Sequence, residues 1–342
     1  MEDTSNQTAT LSYDLDLQSQ NNFTNGTSSN IPVSTALEQA INWFCILILC
    51  DTLVSLGCTM EISKIKAHIV KPKGVVIAML AQFGVMPLTA FSMAKLFNLG
   101  LGASMAVLVC GCCPGGILSN VLAFALNGDM NLSIVMTTCS TLAALGMIPL
   151  LLFIYCHGFS NVYAVPYAGI FLALILTVLP CAIGIYINYR VPEKSKLVVK
   201  VGLGIMVVGY VVLGILLSLF LGPVISVITE PPLLATGALM PLIGYVLGYL
   251  LSYLFSFDAP CRRTVAVETG CQNLLLCFTI LEVVFDRDVI GPYTLFPFVY
   301  FFFQILEALV LIIIRRCYKK SSKKSELNNC SSTILNNFTC SQ

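Results

Sequence analysis

A carboxylate, a glycine and two side-chain amides fall together at Glu268-Thr269-Gly270-Cys271-Gln272-Asn273, inside a long apolar stretch near the C-terminus. A second polar interruption, Cys112-Cys113-Pro114-Gly115-Gly116-Ile117-Leu118-Ser119-Asn120, lies in an earlier apolar stretch. In lipid an unpaired backbone group is costly, so a broken helix survives only where it faces protein or a cavity. A carboxylate at that depth marks a functional site by default. Glu268 has no basic residue within its own apolar stretch, so it requires a proton or a cation. Sodium, a hard cation, takes oxygen ligands. Ser119, Asn120, Ser133, Thr137, Gln82, Glu268 and Gln272 offer such oxygens, and Ser133 and Thr137 share one helix face. Half-helix ends at the breaks add N-termini that attract anions and carbonyls that hold cations. One crossing point can therefore serve a cation-coupled anion transporter.

The elements that position these groups must be membrane-crossing helices. The chain has 342 residues, of which 57% are hydrophobic and 10% charged, whereas a soluble domain carries about a quarter charged residues. The net charge of +1 gives no reason to expect a nucleic-acid partner. Most of the 15 cysteines lie inside apolar stretches, where cysteine acts as a small buried hydrophobe, and none has zinc-ligand spacing. No Ser-His-Asp order, HExxH, phosphate loop or dinucleotide fingerprint is present, so the sequence excludes the common enzyme classes and calls for no cofactor.

Stretches of spanning length (about 20 residues for a helix) fall at 36–58, 74–94, 101–127, 130–156, 167–188, 201–222, 232–257, 264–285 and 289–314. They predict an all-α polytopic membrane protein with nine transmembrane helices. Basic clusters follow the first span (Lys64, Lys66, Lys71, Lys73), the fifth (Arg190, Lys194, Lys196, Lys200), the seventh (Arg262, Arg263) and the ninth (from Arg315). Each follows an odd-numbered span, which sets the N-terminus outside and the C-terminus inside. The polar segment 1–35 has no Lys or Arg and carries sequons at Asn6, Asn22 and Asn25, as a glycosylatable extracellular tail would. It lacks a signal peptide's basic start and apolar core. Residues 317–342 form a polar cytoplasmic tail, expected to be disordered from Lys319 onward. The broken spans are the third and eighth, which run in opposite directions. An inverted repeat of helices 2–4 and 7–9 would leave that pattern, with helices 1, 5 and 6 as a second bundle.

At these residues the chain resembles the sodium/bile-acid cotransporters. The likeness is carried by Ser55-Leu56-Gly57-Cys58-Thr59-Met60-Glu61, Gln82-Phe83-Gly84-Val85-Met86-Pro87, Cys112-Cys113-Pro114-Gly115-Gly116, Gly128-Asp129-Met130-Asn131-Leu132-Ser133 and Arg262-Arg263-Thr264 through Asn273. It implies a transporter domain over 36–316, with core helices at about 74–156 and 232–314 and panel helices at about 36–58 and 167–222. It implies two sodium ions at the crossing and a bile acid or related organic anion between core and panel, in a plasma membrane. By matching position, Ser119, Asn120, Ser133, Thr137 and Glu268 would hold the first sodium. Gln82, Glu268, Thr269, Cys271 and Gln272 would hold the second. Asn273, Gln304 and Ile117 are weaker substrate candidates, and Ile117 departs from the polar residue that relatives carry there. That departure leaves a steroid-sulphate preference open. An external tail and a basic inner end also fit a bile-acid-sensing receptor, although paired mid-membrane breaks do not call for one. The sequence sets no oligomeric state.

Overall fold

The computed structural model describes residues 35–60, 73–159, 166–220, 230–285 and 287–339; the predicted glycosylation sites Asn6, Asn22 and Asn25 lie outside them. Every regular element among the described residues is helical. The chain divides into units Met1–Ile41, of which only the start of the first helix is described, and Asn42–Gln342. The helices are α1 (Thr35–Thr59), α2 (Lys73–Leu80), α3 (Met86–Leu96), α4 (Leu101–Cys112), α5 (Ile117–Ala125) and α6 (Met130–Cys156). They continue with α7 (Tyr167–Arg190), α8 (Pro192–Phe220), α9 (Pro231–Leu254), α10 (Ala259–Gly270), α11 (Leu274–Val284), α12 (Arg287–Ile290) and α13 (Phe296–Thr339). Eight described segments are long and apolar enough to cross a membrane, and counting the bent pair α4–α5 as one span makes nine. The predicted spans recur within a few residues except at the start of α8 and the end of α13.

Helix α8 begins at Pro192, nine residues before the apolar stretch at 201. Proline fits the first helical turn and Glu193 complements its dipole, so α8 starts through a basic, non-apolar segment. At the other end of the chain, α13 runs on to Thr339, where the sequence predicted a disordered tail from Lys319. Extending a formed helix is far easier than nucleating one.

Small residues set the closest helix crossings, as is usual in membranes. On α1, a Cβ at Gly57 would overlap the Cys181 carbonyl of α7, and one at Gly184 would overlap the Val54 carbonyl of α1. Gly209 of α8 would bring a Cβ to 2.6 Å from Ile48 of α1. On α9, Gly244 would bring one to 2.7 Å from the Gly270 Cα, and Gly248 to 2.7 Å from Thr269. The α10–α11 span is 94% buried against 22% for α8, so the broken helix is sheathed by protein rather than by lipid.

A four-residue reversal, Leu126 to Asp129, joins α5 to α6. Asn127 adopts φ +52°, and the Gly128 N–H returns to the Ala123 carbonyl at 2.8 Å. The Asp129 carboxylate then accepts from the Asn131 and Leu132 N–H groups at 2.9 and 3.1 Å, capping the helix that carries Ser133 and Thr137. Asp129→Ala should lower the stability of the purified protein by about 0.5–2 kcal/mol, measured by thermal unfolding in detergent.

Candidate functional site

Both predicted breaks exist. The chain bends by 63° between α4 and α5, across Cys113 to Gly116. Between α10 and α11 it runs extended through Cys271 (ψ 125°) and Asn273 (ψ 92°). The two interruptions touch: the Asn273 N–H donates to the Pro114 carbonyl at 2.9 Å. Asn273 Oδ1 also accepts from the Leu276 N–H at 3.1 Å, so this residue caps α11 while it ties the breaks together.

Glu268, 3% exposed, closes the first group. Its Oε2 accepts from Ser119 Oγ at 2.9 Å and Thr137 Oγ1 at 2.8 Å, and its Oε1 accepts from Ser133 Oγ. Asn120 Oδ1 stands 2.7 Å from Ser133 Oγ and 3.2 Å from Thr137 Oγ1. Gly115 lies so near that an added Cβ would be 2.9 Å from Glu268 Oε2. All five residues predicted for the first sodium site are therefore brought together from α5, α6 and α10.

A count of protons tests whether that group suits a cation. The three hydroxyls make seven short oxygen–oxygen contacts, including Ser119 to the Gly116 carbonyl and Thr137 to the Ser133 carbonyl. Each hydroxyl has a single proton to donate, so most of those contacts face oxygen to oxygen without one. Among the described residues no Lys or Arg pairs with Glu268. The cluster is oxygen-rich, proton-poor and anionic, which is what a hard cation requires.

The second predicted group assembles around Gln82. Its Nε2 donates to the Cys113 carbonyl at 2.7 Å and to Gln272 Oε1 at 2.9 Å. Gln272 Nε2 reaches the Thr269 carbonyl at 3.3 Å, while the Thr269 hydroxyl turns back to the Val265 carbonyl. Here amide protons already fill the acceptors, and rotating the Gln82 amide would present its oxygen instead. Glu268 makes no hydrogen bond to Gln82 or Gln272. The hydrogen bonds of its carboxylate stay within the first group.

Three braces around the second break escape a one-dimensional reading. Gln304 is buried, and its Oε1 accepts from the Gln272 N–H at 3.0 Å. Tyr300 donates to the Gly270 carbonyl at 2.6 Å, and Tyr245 donates to the Gln304 carbonyl at 2.8 Å. Gln304, a weak substrate candidate from sequence, braces the broken backbone. A five-residue π-helical turn, Ala81–Val85, sets Gln82 between α2 and α3. Pro87 lacks the N–H that would reach the Phe83 carbonyl, which is the sequence signal for that turn.

Ile117, Gly116 and Asn273 line a crevice together with Thr52, Met206 and Tyr210. Its cavity is about 20 Å³, room for about one water.

Eight or nine spans, with two touching interruptions beside a buried oxygen cage, are the construction of a secondary transporter. The sequence model of the Sodium Bile acid symporter family matches residues 46–230, and the chain belongs to that family. It is 51% identical over 286 residues to the hepatic sodium/bile acid cotransporter of Homo sapiens, covering 83% of this chain and 82% of that one. It is 40% identical to the sodium-dependent organic anion transporter of Homo sapiens (79% and 71% covered). Identity to the ileal sodium/bile acid cotransporter of Oryctolagus cuniculus is 39% (82% and 81% covered). These relatives are named as transporters rather than enzymes.

Proposed function

We propose that this chain is a plasma-membrane symporter that imports conjugated bile acids with two sodium ions, its N-terminus outside and its C-terminus inside. The observation that carries this reading is the Glu268 carboxylate held among Ser119, Asn120, Ser133 and Thr137 where the two broken helices meet. The first sodium binds there. The second binds at Gln82, Gln272 and the backbone around Thr269 and Cys271, once the Gln82 amide rotates. This unequal readiness implies an order, with the Glu268 site filling first.

The substrate enters between the broken helices and the α1–α8 side. A crevice of about 20 Å³ is far below the roughly 300–1,000 Å³ of a small-molecule site. The two sides must therefore part to admit a steroid and close again to release it, which is alternating access. α1, α7 and α8, packed closely at Gly57, Gly184 and Gly209, supply one moving body, and the broken helices, related as an inverted repeat, supply the other.

Two sodium ions with one monovalent anion carry one net positive charge inward, so 100 mV of membrane potential adds about 2.3 kcal/mol per cycle. Simultaneous sodium, taurocholate and current measurements in expressing cells should give two ions and one charge per anion. An electroneutral cycle would reject the second sodium site.

A steroid-sulphate preference is the second reading, favoured by one residue. Ile117 places a branched alkyl group in the crevice beside Asn273. Competition between taurocholate and a steroid sulphate for uptake separates the two readings, and Ile117→Asn should shift the ratio toward the bile acid.

A further inference from the structure

We infer that the C-terminal end of α9, the first turns of α10 and the Arg315 region of α13, where its apolar part ends, form a binding site for the phosphate of an anionic phospholipid. These segments bring three arginines, Arg262, Arg263 and Arg315, together. Arg263 feels the positive charge of both Arg315 and Arg262, against the single negative charge of Asp258. The Nε atoms of Arg262, Arg263 and Arg315 are buried and have no hydrogen-bond partner. Arg263 spends one Nη2 donor on the Asn127 carbonyl at 2.7 Å. Each guanidinium has five donors, so the group presents far more donors than the protein fills.

Carboxylates do not resolve this. Asp258 and Asp129 are close by, but Asp258 Oδ1 caps α10 at the Cys261 N–H and Asp129 Oδ1 caps α6. Among the described residues no ion pair joins either aspartate to these arginines. Three like charges face one nearby carboxylate, Asp258, with which none of them forms an ion pair, and the buried Nε donors stay unfilled at a cost. An external anion removes both penalties at once. Phosphate suits it, because a guanidinium fork pairs with phosphate oxygens bidentately.

The surroundings select a lipid over a soluble ion. Arg262 lies over the rings of Tyr253 and Tyr249, at 5.0 and 5.9 Å. Tyr253 and Leu254 are 59% and 76% exposed, and their span ends there. Exposed tyrosine at a span end belongs to the headgroup belt, with aliphatic residues facing the tails. Arg316 beside Arg315, and Lys319 and Lys320 about one turn further along α13, are also basic, and all three are exposed. Basic pockets between helix ends are where anionic headgroups are recognised. The inference requires that these helices span a membrane; the identity of the transported anion does not enter it.

The test is native mass spectrometry of the full-length chain in detergent. The probes are phosphatidylinositol 4,5-bisphosphate, phosphatidylcholine and inorganic phosphate. Retention of the phosphoinositide over phosphatidylcholine, uncompeted by millimolar inorganic phosphate, is expected. One basic residue near an anionic surface contributes about fivefold. Arg262→Gln with Arg315→Gln should therefore cut retention about 25-fold. Equal retention of both lipids, or unchanged retention in the double variant, would overturn the inference. Displacement by inorganic phosphate would overturn the lipid assignment in favour of a soluble anion. The wild-type comparison decides the matter even if the double variant fails to fold.

Discussion

Glu268→Gln is expected to abolish sodium-dependent uptake while the protein still reaches the cell surface. Glutamine keeps the size of the side chain and one acceptor oxygen, so the packing around a residue 3% exposed survives. What disappears is the only formal negative charge in the group of Ser119, Asn120, Ser133 and Thr137. The new amide also points protons at hydroxyls that now face oxygen. Removing one partner of a buried charge pair costs about 3–5 kcal/mol, which is a loss of at least about a hundredfold in cation affinity. No attainable external sodium concentration restores that. Glu307→Gln is the matched control: Glu307 is half-buried, and its Oε2 has no hydrogen-bond partner. That variant should transport normally. Sodium-dependent uptake by Glu268→Gln at wild-type levels would remove the site assignment.

Gly270→Ala should cost nearly as much, by a route that involves no ligand. A Cβ there would overlap the Tyr245 ring and stand 2.8 Å from the Pro241 carbonyl. Neither neighbour can yield freely. The ring is pinned through its hydroxyl, 2.8 Å from the Gln304 carbonyl and 3.3 Å from Cys271 Sγ, and Pro241 lies within α9. Overpacking of this kind costs about 1–3 kcal/mol. Because Gln304 in turn holds the Gln272 N–H, the strain passes directly into the second break. Unfolding temperature in detergent and uptake per surface molecule should fall together. A stable variant with full uptake would show that the break tolerates displacement, against the braced geometry described above.

Much of this arrangement is legible in the sequence, for definable reasons. Hydropathy marks the spans because a membrane helix must be apolar along its whole length. The breaks show because Gly115, Gly116, Gly270 and the polar residues beside them cannot be reconciled with a lipid-facing helix. The oxygen cage was accessible from the same rule, since Ser133 and Thr137 share a face and Glu268 demands a counter-charge. Hydropathy fails where a helix outruns its apolar part. The start of α8 at Pro192 and the extension of α13 to Thr339 are both of this kind. Tertiary braces fail for a different reason: Tyr245, Tyr300 and Gln304 look like ordinary span residues until the fold brings them to the second break. The closing contact, Asn273 N–H to the Pro114 carbonyl, joins backbone atoms 159 positions apart and leaves no side-chain signature.

The most direct measurement is uptake of labelled taurocholate into cells expressing the chain, in sodium medium and in medium with choline replacing sodium. Accumulation in sodium and none in choline is the predicted result. Equal uptake in both media, or none in either with the protein confirmed at the surface, would contradict sodium-coupled bile-acid import.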